Sequence, residues 1–241
     1  MQIISYKNNL INFITFFQSS INNDYINGIS VPIIRTKDNQ IIVFDDNMGS
    51  SASTEVLQNS TIADLQETTI FSLDSMLASL TTESTFQKRI ILNVYPLIMP
   101  ILSNETIQYV NEQNRRYIIQ IKTIIDKYPN LNISLSSINT NLLQEMKRRI
   151  TNHDLGLIIN TENPVYVQAD FYILKPIMLD EVIIKQELDA GHEVMISLTN
   201  ADDLSIVYNF FKENPSPLRN ELLLKLTFMT GYPQVLNNLI T

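Results

Sequence analysis

Short apolar runs alternate with longer segments whose apolar residues recur every three to four positions, and the alternation repeats about eight times along the chain. The runs at 2–5, 29–34, 89–95, 132–135, 155–159, 171–174, 193–197 and 224–229 read as strands. The segments at 72–80, 104–127, 139–150, 179–188, 201–211 and 234–239 carry helical spacing. So does an N-terminal stretch whose Phe13, Phe16 and Phe17 form one stripe, read as core packing of a first helix. In 104–127 the inner stripe is Ile107, Val110, Ile118, Ile119, Ile121 and Ile125. Strands alternating with helices, with no linker between units, are the pattern of a parallel sheet covered by helices. Eight such units in 241 residues favour one closed (β/α)8 TIM barrel, a single domain over 1–241, rather than an open doubly wound sheet. Lys37-Asp38-Asn39 is turn chemistry and 41–44 a further apolar run, so the second strand is expected to fold back as a hairpin. The stretch 45–61, rich in Ser, Thr, Asn and Asp, reads as a flexible loop.

Composition removes whole classes of function. The chain has no Cys, which excludes a disulfide framework, a thiolate metal site and a cysteine nucleophile. It carries 17 Lys+Arg against 25 Asp+Glu, a formal net charge of −8. Without a basic run it lacks the electrostatic footprint of a nucleic-acid binder. No apolar stretch reaches the roughly 18 residues of a membrane span, and the N-terminus lacks the layout of a signal peptide. A cytoplasmic location is therefore expected. About one residue in four is Ile or Asn, a bias that accompanies AT-rich coding. A location within a virus particle or assembly would suit it.

Ordered blocks along the chain resemble the glycerophosphodiester phosphodiesterases. Asp24-Tyr25-Ile26, Thr36-Lys37-Asp38-Asn39-Gln40 and Ile41-Ile42-Val43-Phe44-Asp45-Asp46 are similar to that family's second-strand block. Asn59-Ser60-Thr61-Ile62-Ala63-Asp64-Leu65 with Ile70-Phe71-Ser72-Leu73-Asp74-Ser75-Met76 resembles its "T-L-x-E-L … I-P-T-L-E-E" segment. Leu135-Ser136-Ser137 is similar to its "S-S-F". Thr199-Asn200-Ala201-Asp202 and Met229-Thr230-Gly231-Tyr232-Pro233 resemble its "W-T-V-N" and "T-D-Y-P". The resemblance implies a TIM barrel. It also implies a reaction: phosphodiester cleavage by a His pair, a carboxylate-bound divalent cation, and an Arg and Lys facing the phosphate.

The residues for that reaction do not carry over. Ser5-Tyr6-Lys7-Asn8 stands where the family has "H-R-G". Its "E-x-D" aligns with Ser30-Val31-Pro32, and its "E-x-K" with Asn93-Val94-Tyr95. Of the following "H-D", Asp45-Asp46 keeps the Asp. Ser197 replaces the Trp, and Gly231 the closing Asp. Hard cations need carboxylates to repay dehydration, and phosphoryl transfer needs the cation's charge. The resemblance is thus to a degenerate member lacking catalytic and metal-binding residues, with neither assigned.

Candidate residues remain at the mouth of the barrel. Ser30, Asn93, Tyr95, Ser136, Ser137, Asn160, Ser197 and Thr199 sit at expected strand ends, where such barrels place their sites. They would line a neutral hydrogen-bonding pocket for a small molecule, or a mouth that is merely solvated. Asp45 and Asp46, assisted by Asp24 or Asp64, could hold Mg or Ca in a rebuilt centre, or could be turn chemistry. His153 and His192 each precede a strand, on the face opposite the mouth. Arg115-Arg116 and Lys147-Arg148-Arg149 fall on helices and read as solvated faces. The expected role is that of an inactive structural or interaction protein, with a protein partner or self-association. The alternative is a metal-dependent phosphodiesterase acting on glycerophosphodiesters.

Overall fold

The computed structural model describes residues 2–6, 20, 22–44, 51–65, 71–82, 87–97, 104–160, 167–213 and 217–240. Eight strands are parallel and follow one another round a closed ring. They are β1 (Gln2–Tyr6), β2 (Gly28–Arg35), β5 (Arg89–Val94), β6 (Ile133–Ser137), β7 (Leu155–Ile159), β8 (Phe171–Leu174), β9 (Glu193–Leu198) and β10 (Thr227–Thr230). β1 closes the ring by pairing with both β10 and β2. β3 (Ile41–Val43) pairs antiparallel with the upper half of β2, and β4 (Phe71–Ser72) pairs with β3. The expected hairpin and the expected (β/α)8 barrel are both present.

The period of two along each strand divides the side chains between two cores. Ile29, Val31, Ile33, Ile90, Leu92, Val94, Leu135, Leu157, Val194 and Ile196 face outward into the layer beneath the helices. Ile4, Ile91, Phe171, Ile173, Met195 and Met229 face inward and fill the barrel itself. Parallel strands covered on both sides become continuous apolar runs, which is why they stand out in the sequence.

The helices are α1 (Ser51–Asn59), α2 (Leu73–Thr82), α3 (Asn104–Ile125), α4 (Thr140–Arg149), α5 (Glu181–Asp189), α6 (Ala201–Tyr208), α7 (Pro217–Lys225) and α8 (Pro233–Ile240). Asn139, Asp180 and Asn200 cap α4, α5 and α6, each side chain accepting from free backbone N–H groups of the first turn. Gly191, at φ +87°, turns the chain from α5 into β9. No helix among the described residues is long and apolar enough to cross a membrane.

Three expectations are corrected. Residues 51–59 are helix α1, not loop. Thr54 and Leu57 are buried one turn apart, and Leu57 packs with Ile34, Ile42 and Phe44. Buried positions set in a polar segment leave little periodicity to read. Residues 45–50, with Asp45 and Asp46, lie outside the described residues, as do Phe13, Phe16 and Phe17. The run 224–229 is not all strand. Its first two residues end α7, where Leu222 is buried and Leu224 is 71% exposed. Ile119 does not join the inner stripe of α3; it is 42% exposed, whereas Tyr117, Ile118, Ile121 and Ile125 are buried.

Candidate functional site at the barrel mouth

The closed end of the barrel is built from charge. Arg89 on β5 pairs with Glu193 on β9 across the interior. Its Nε donates to Ser134 Oγ at 2.9 Å, and Thr227 Oγ1 donates to Glu193 at 2.9 Å. The guanidinium lies 4.8 Å from the centre of the Phe171 ring. A Cβ at Gly156 would fall 2.1 Å from that ring, so only glycine leaves it room. Above this plug the apolar layer of Ile4, Ile91, Ile173, Met195 and Met229 separates it from the mouth.

The mouth holds a cavity of about 410 Å³. Its polar lining is Asn93 and Tyr95 from the end of β5, Asn160 after β7, Lys175 after β8, and Ser197 and Thr199 at the end of β9. Ile158, Ile173 and Met229 contribute its apolar lining. Five expected candidates, Asn93, Tyr95, Asn160, Ser197 and Thr199, therefore come together here. Ser30 lies deeper, fully buried. The Asn93 Nδ2 donates to Ser30 Oγ at 2.9 Å, and Ser136 Oγ donates to Asn93 Oδ1 at 2.6 Å. Strand register makes this chain possible, because Asn93 sits beside Pro32 on one side and Ser136 on the other.

Other candidates fall elsewhere. Ser137 faces outward, its hydroxyl donating to the Val94 carbonyl at 2.8 Å. Adjacent strand residues point to opposite faces, so only one of the serine pair can reach the interior. Asp24 precedes β2, at the closed end. Asp64 accepts from the backbone N–H and hydroxyl of Thr61, at 2.8 and 2.7 Å, and these bonds hold its carboxyl below the usual range. It is turn chemistry. Thr199 is tied to the start of α6, its N–H and hydroxyl both donating to Asp203 at 2.6 Å. Tyr95 packs edge-on against Phe44, ring centres 5.1 Å apart.

Both histidines lie at the closed end, as expected. His153 Nδ1 is 2.9 Å from the Ile133 carbonyl. His192 Nδ1 is 2.8 Å from Glu187, its ring edge-on to Tyr172. The basic clusters are largely occupied on helix faces: Arg116 with Glu112, Arg149 with Glu145, and Lys147 on the Gln168 carbonyl. Lys175 was not foreseen. A lysine followed by proline after a four-residue apolar run reads as a turn, and only the inward parity of Phe171 and Ile173 carries it to the mouth.

The cation that the resemblance implies does not fit the described residues. Its three carboxylate positions carry Ser30, Pro32 and Asn93; the Ser30 hydroxyl oxygen accepts from the Asn93 amide and the Asn93 carbonyl oxygen accepts from Ser136, so only neutral oxygens are present there. Among the described residues no group of three His, Asp or Glu side chains converges as a metal site would require.

No family model matches the chain, and no curated relative matches it by sequence. Solved structures do. A glycerophosphodiester phosphodiesterase from Parabacteroides distasonis superposes with a TM-score of 0.71 at 12% identity, over 99% of this chain and 96% of that one. A phosphodiesterase from Oleispira antarctica, solved with the product sn-glycerol-3-phosphate, gives 0.68 at 14% identity, over 100% and 96%. The Thermotoga maritima glycerophosphodiester phosphodiesterase gives 0.63 at 14%, over 98% and 97%. The single domain described above thus has, from end to end, the TIM-barrel fold of the glycerophosphodiester phosphodiesterases.

Proposed function

We propose that this chain is a non-catalytic barrel of the glycerophosphodiester phosphodiesterase type, serving as a structural or interaction protein. One observation carries the reading: the Ser30–Asn93–Ser136 chain of neutral hydrogen bonds at the base of the cavity. It occupies the side of the barrel where the resemblance implies a carboxylate-bound cation. Hydroxyl and amide oxygens bonded to one another repay little of a divalent ion's hydration. Without such an ion the charge that develops in phosphoryl transfer goes unmet. Neither histidine is at the mouth to act as acid or base. Self-association or a protein partner is the expected use of the outer surface, where Ile177, Val182 and Leu224 stand exposed on and between the helices.

The shared fold supports a second reading, a phosphodiesterase whose metal centre is rebuilt around Asp45, Asp46 and Tyr95; Tyr95 does line the cavity. Calorimetric titration with Mg²⁺ and Ca²⁺, alongside a hydrolysis assay on glycerophosphodiesters, separates the two. The proposal expects no binding heat and no turnover. Turnover that Asp46→Ala abolishes would refute it.

A further inference from the structure

We infer that the outer seam between α3 and α4 is a peptide-binding site, a cavity lined by unpaired side-chain amides that takes an extended, uncharged segment of a partner polypeptide. The inference deepens the proposed interaction role and rests on it, but it does not depend on the chemistry of the barrel mouth.

The seam begins as ordinary packing. Ile118, Ile121 and Ile125 form one buried stripe on α3, and Leu142, Leu143 and Met146 are buried on α4. Residues three and four apart share a helix face, so the α3 stripe continued toward its N-terminus passes through Asn114 and Asn111. There the apolar seam gives way to a cavity of about 310 Å³. It is lined by Asn111 and Asn114 from α3 and by Asn141, Gln144, Glu145 and Arg148 from α4.

The four amides are unspent. Among the described residues, none of the Asn111, Asn114, Asn141 and Gln144 side chains has a hydrogen-bond partner. Asn114 Oδ1 is also hidden from solvent. Buried polar atoms are paired almost throughout native proteins, so an orphaned acceptor beside an open cavity points to a partner that this chain does not supply. The last torsion of an asparagine is soft, which lets an incoming N–H draw that oxygen toward the cavity.

The lining selects the class of ligand. It includes no aliphatic or aromatic side chain among the described residues. An amphipathic helix would find nothing to bury against, and a nucleobase or sugar no ring to stack on. Glu145 and Arg148 lie 3.5 Å apart as an ion pair, so the lining carries no net charge to select an ion. Each amide sets an N–H donor beside a C=O acceptor, the same pair that every peptide unit of an extended chain presents. From Asn141 to Arg148 the lining runs about 10 Å along α4, the reach of about three extended residues.

The probe is the blocked tripeptide acetyl-Gly-Asn-Gly-amide, titrated into the full chain while the side-chain amide resonances of Asn and Gln are followed by NMR, with maltotriose as the carbohydrate control. The expected result is saturable shifts at Asn111, Asn114, Asn141 and Gln144 and none with maltotriose. Affinity should fall about three- to tenfold in Gln144→Ala and in Asn114→Leu. Gln144 is exposed, so its truncation leaves the fold intact. Asn114→Leu carries a second readout: with the orphaned oxygen gone, the free protein should melt at the same temperature or higher. Peptide shifts that are absent, or confined to other residues, would overturn the inference. So would unchanged affinity in both variants, binding of maltotriose in place of the peptide, or an Asn114→Leu protein that melts lower, which would make Asn114 a structural residue. Turnover of glycerophosphodiesters would refute the non-catalytic reading and leave this site standing.

Discussion

Replacing Gly156 by alanine tests the packing of the closed end. The new Cβ would lie 2.1, 2.4 and 2.5 Å from Cε2, Cζ and Cδ2 of Phe171. Carbon atoms prefer about 3.5–4.0 Å, so the ring must retreat by about 1.4 Å. It has nowhere easy to go. Arg89 lies against it at 4.8 Å, and the inward layer of Ile4, Ile91, Ile173 and Met195 surrounds it. Overpacking of this kind costs about 1–3 kcal/mol, and disturbing the Arg89 contact adds about 1 kcal/mol. Alanine returns about 0.5–1 kcal/mol through lower chain entropy and better strand propensity. The expected net loss is about 2 kcal/mol, or a fall in Tm of about 4–8 °C for a chain of this size. Gly156 does not adopt a positive φ, so the loss is steric and can be relieved. In urea unfolding, Gly156→Ala with Phe171→Leu should cost at least about 1 kcal/mol less than the two single changes added together. A stable Gly156→Ala variant, or an additive cycle, would refute the argument.

Two further expectations follow from ionisable groups. Asp74 accepts from Lys127 Nζ at 3.0 Å and from the Tyr128 hydroxyl at 2.8 Å, and these bonds hold its carboxyl below the usual aspartate range. Because the folded-state value is the lower one, the stabilisation is complete above the ordinary aspartate range and is lost as pH falls through and below it. Asp74→Asn should therefore flatten the acid limb of the stability profile without changing its neutral slope, and an unchanged acid limb would count against the pairing. Burial pushes the Tyr117 phenol far above its usual range, and its hydroxyl donates to the Ile33 carbonyl at 3.2 Å. That carbonyl also accepts from the Tyr95 N–H at 3.1 Å, so Tyr117→Phe leaves it satisfied and should cost only about 0.5–1 kcal/mol. In the native protein the ultraviolet titration of tyrosine should lack the Tyr117 component until alkaline unfolding.

The strands were legible because burial on both faces makes them apolar without interruption, as in Ile90, Ile91 and Leu92. The mouth residues Asn93, Tyr95, Ser197 and Thr199 were legible for a related reason. They are the first polar side chains after such runs, and in this architecture the ends of strands form the site. Parity was harder. Ser136 and Ser137 are chemically alike, and only the pleat decides that one joins Asn93 while the other turns to the helix layer. α1 was hidden because its buried Thr54 and Leu57 stand within polar surroundings. Lys175 was hidden because only the inward parity of β8 brings it to the cavity, and a Lys-Pro step after a short apolar run gives no sign of which face is inward. Arg89 and Glu193 are 104 positions apart, and nothing local marks them as partners.

Closure of the ring has a consequence for how copies of this molecule could meet. Every barrel strand spends its backbone hydrogen bonds on two neighbours, and β1 spends its own on β10 and β2. Among the described residues the sheet offers one unpaired margin, β4, and it is two residues long. A strand that short gives another chain almost nothing to continue. The described residues thus offer assembly by sheet extension, the route to fibres, almost no edge to start from. Contact between copies would have to be made by side chains on the helical exterior, where single substitutions can tune it or abolish it.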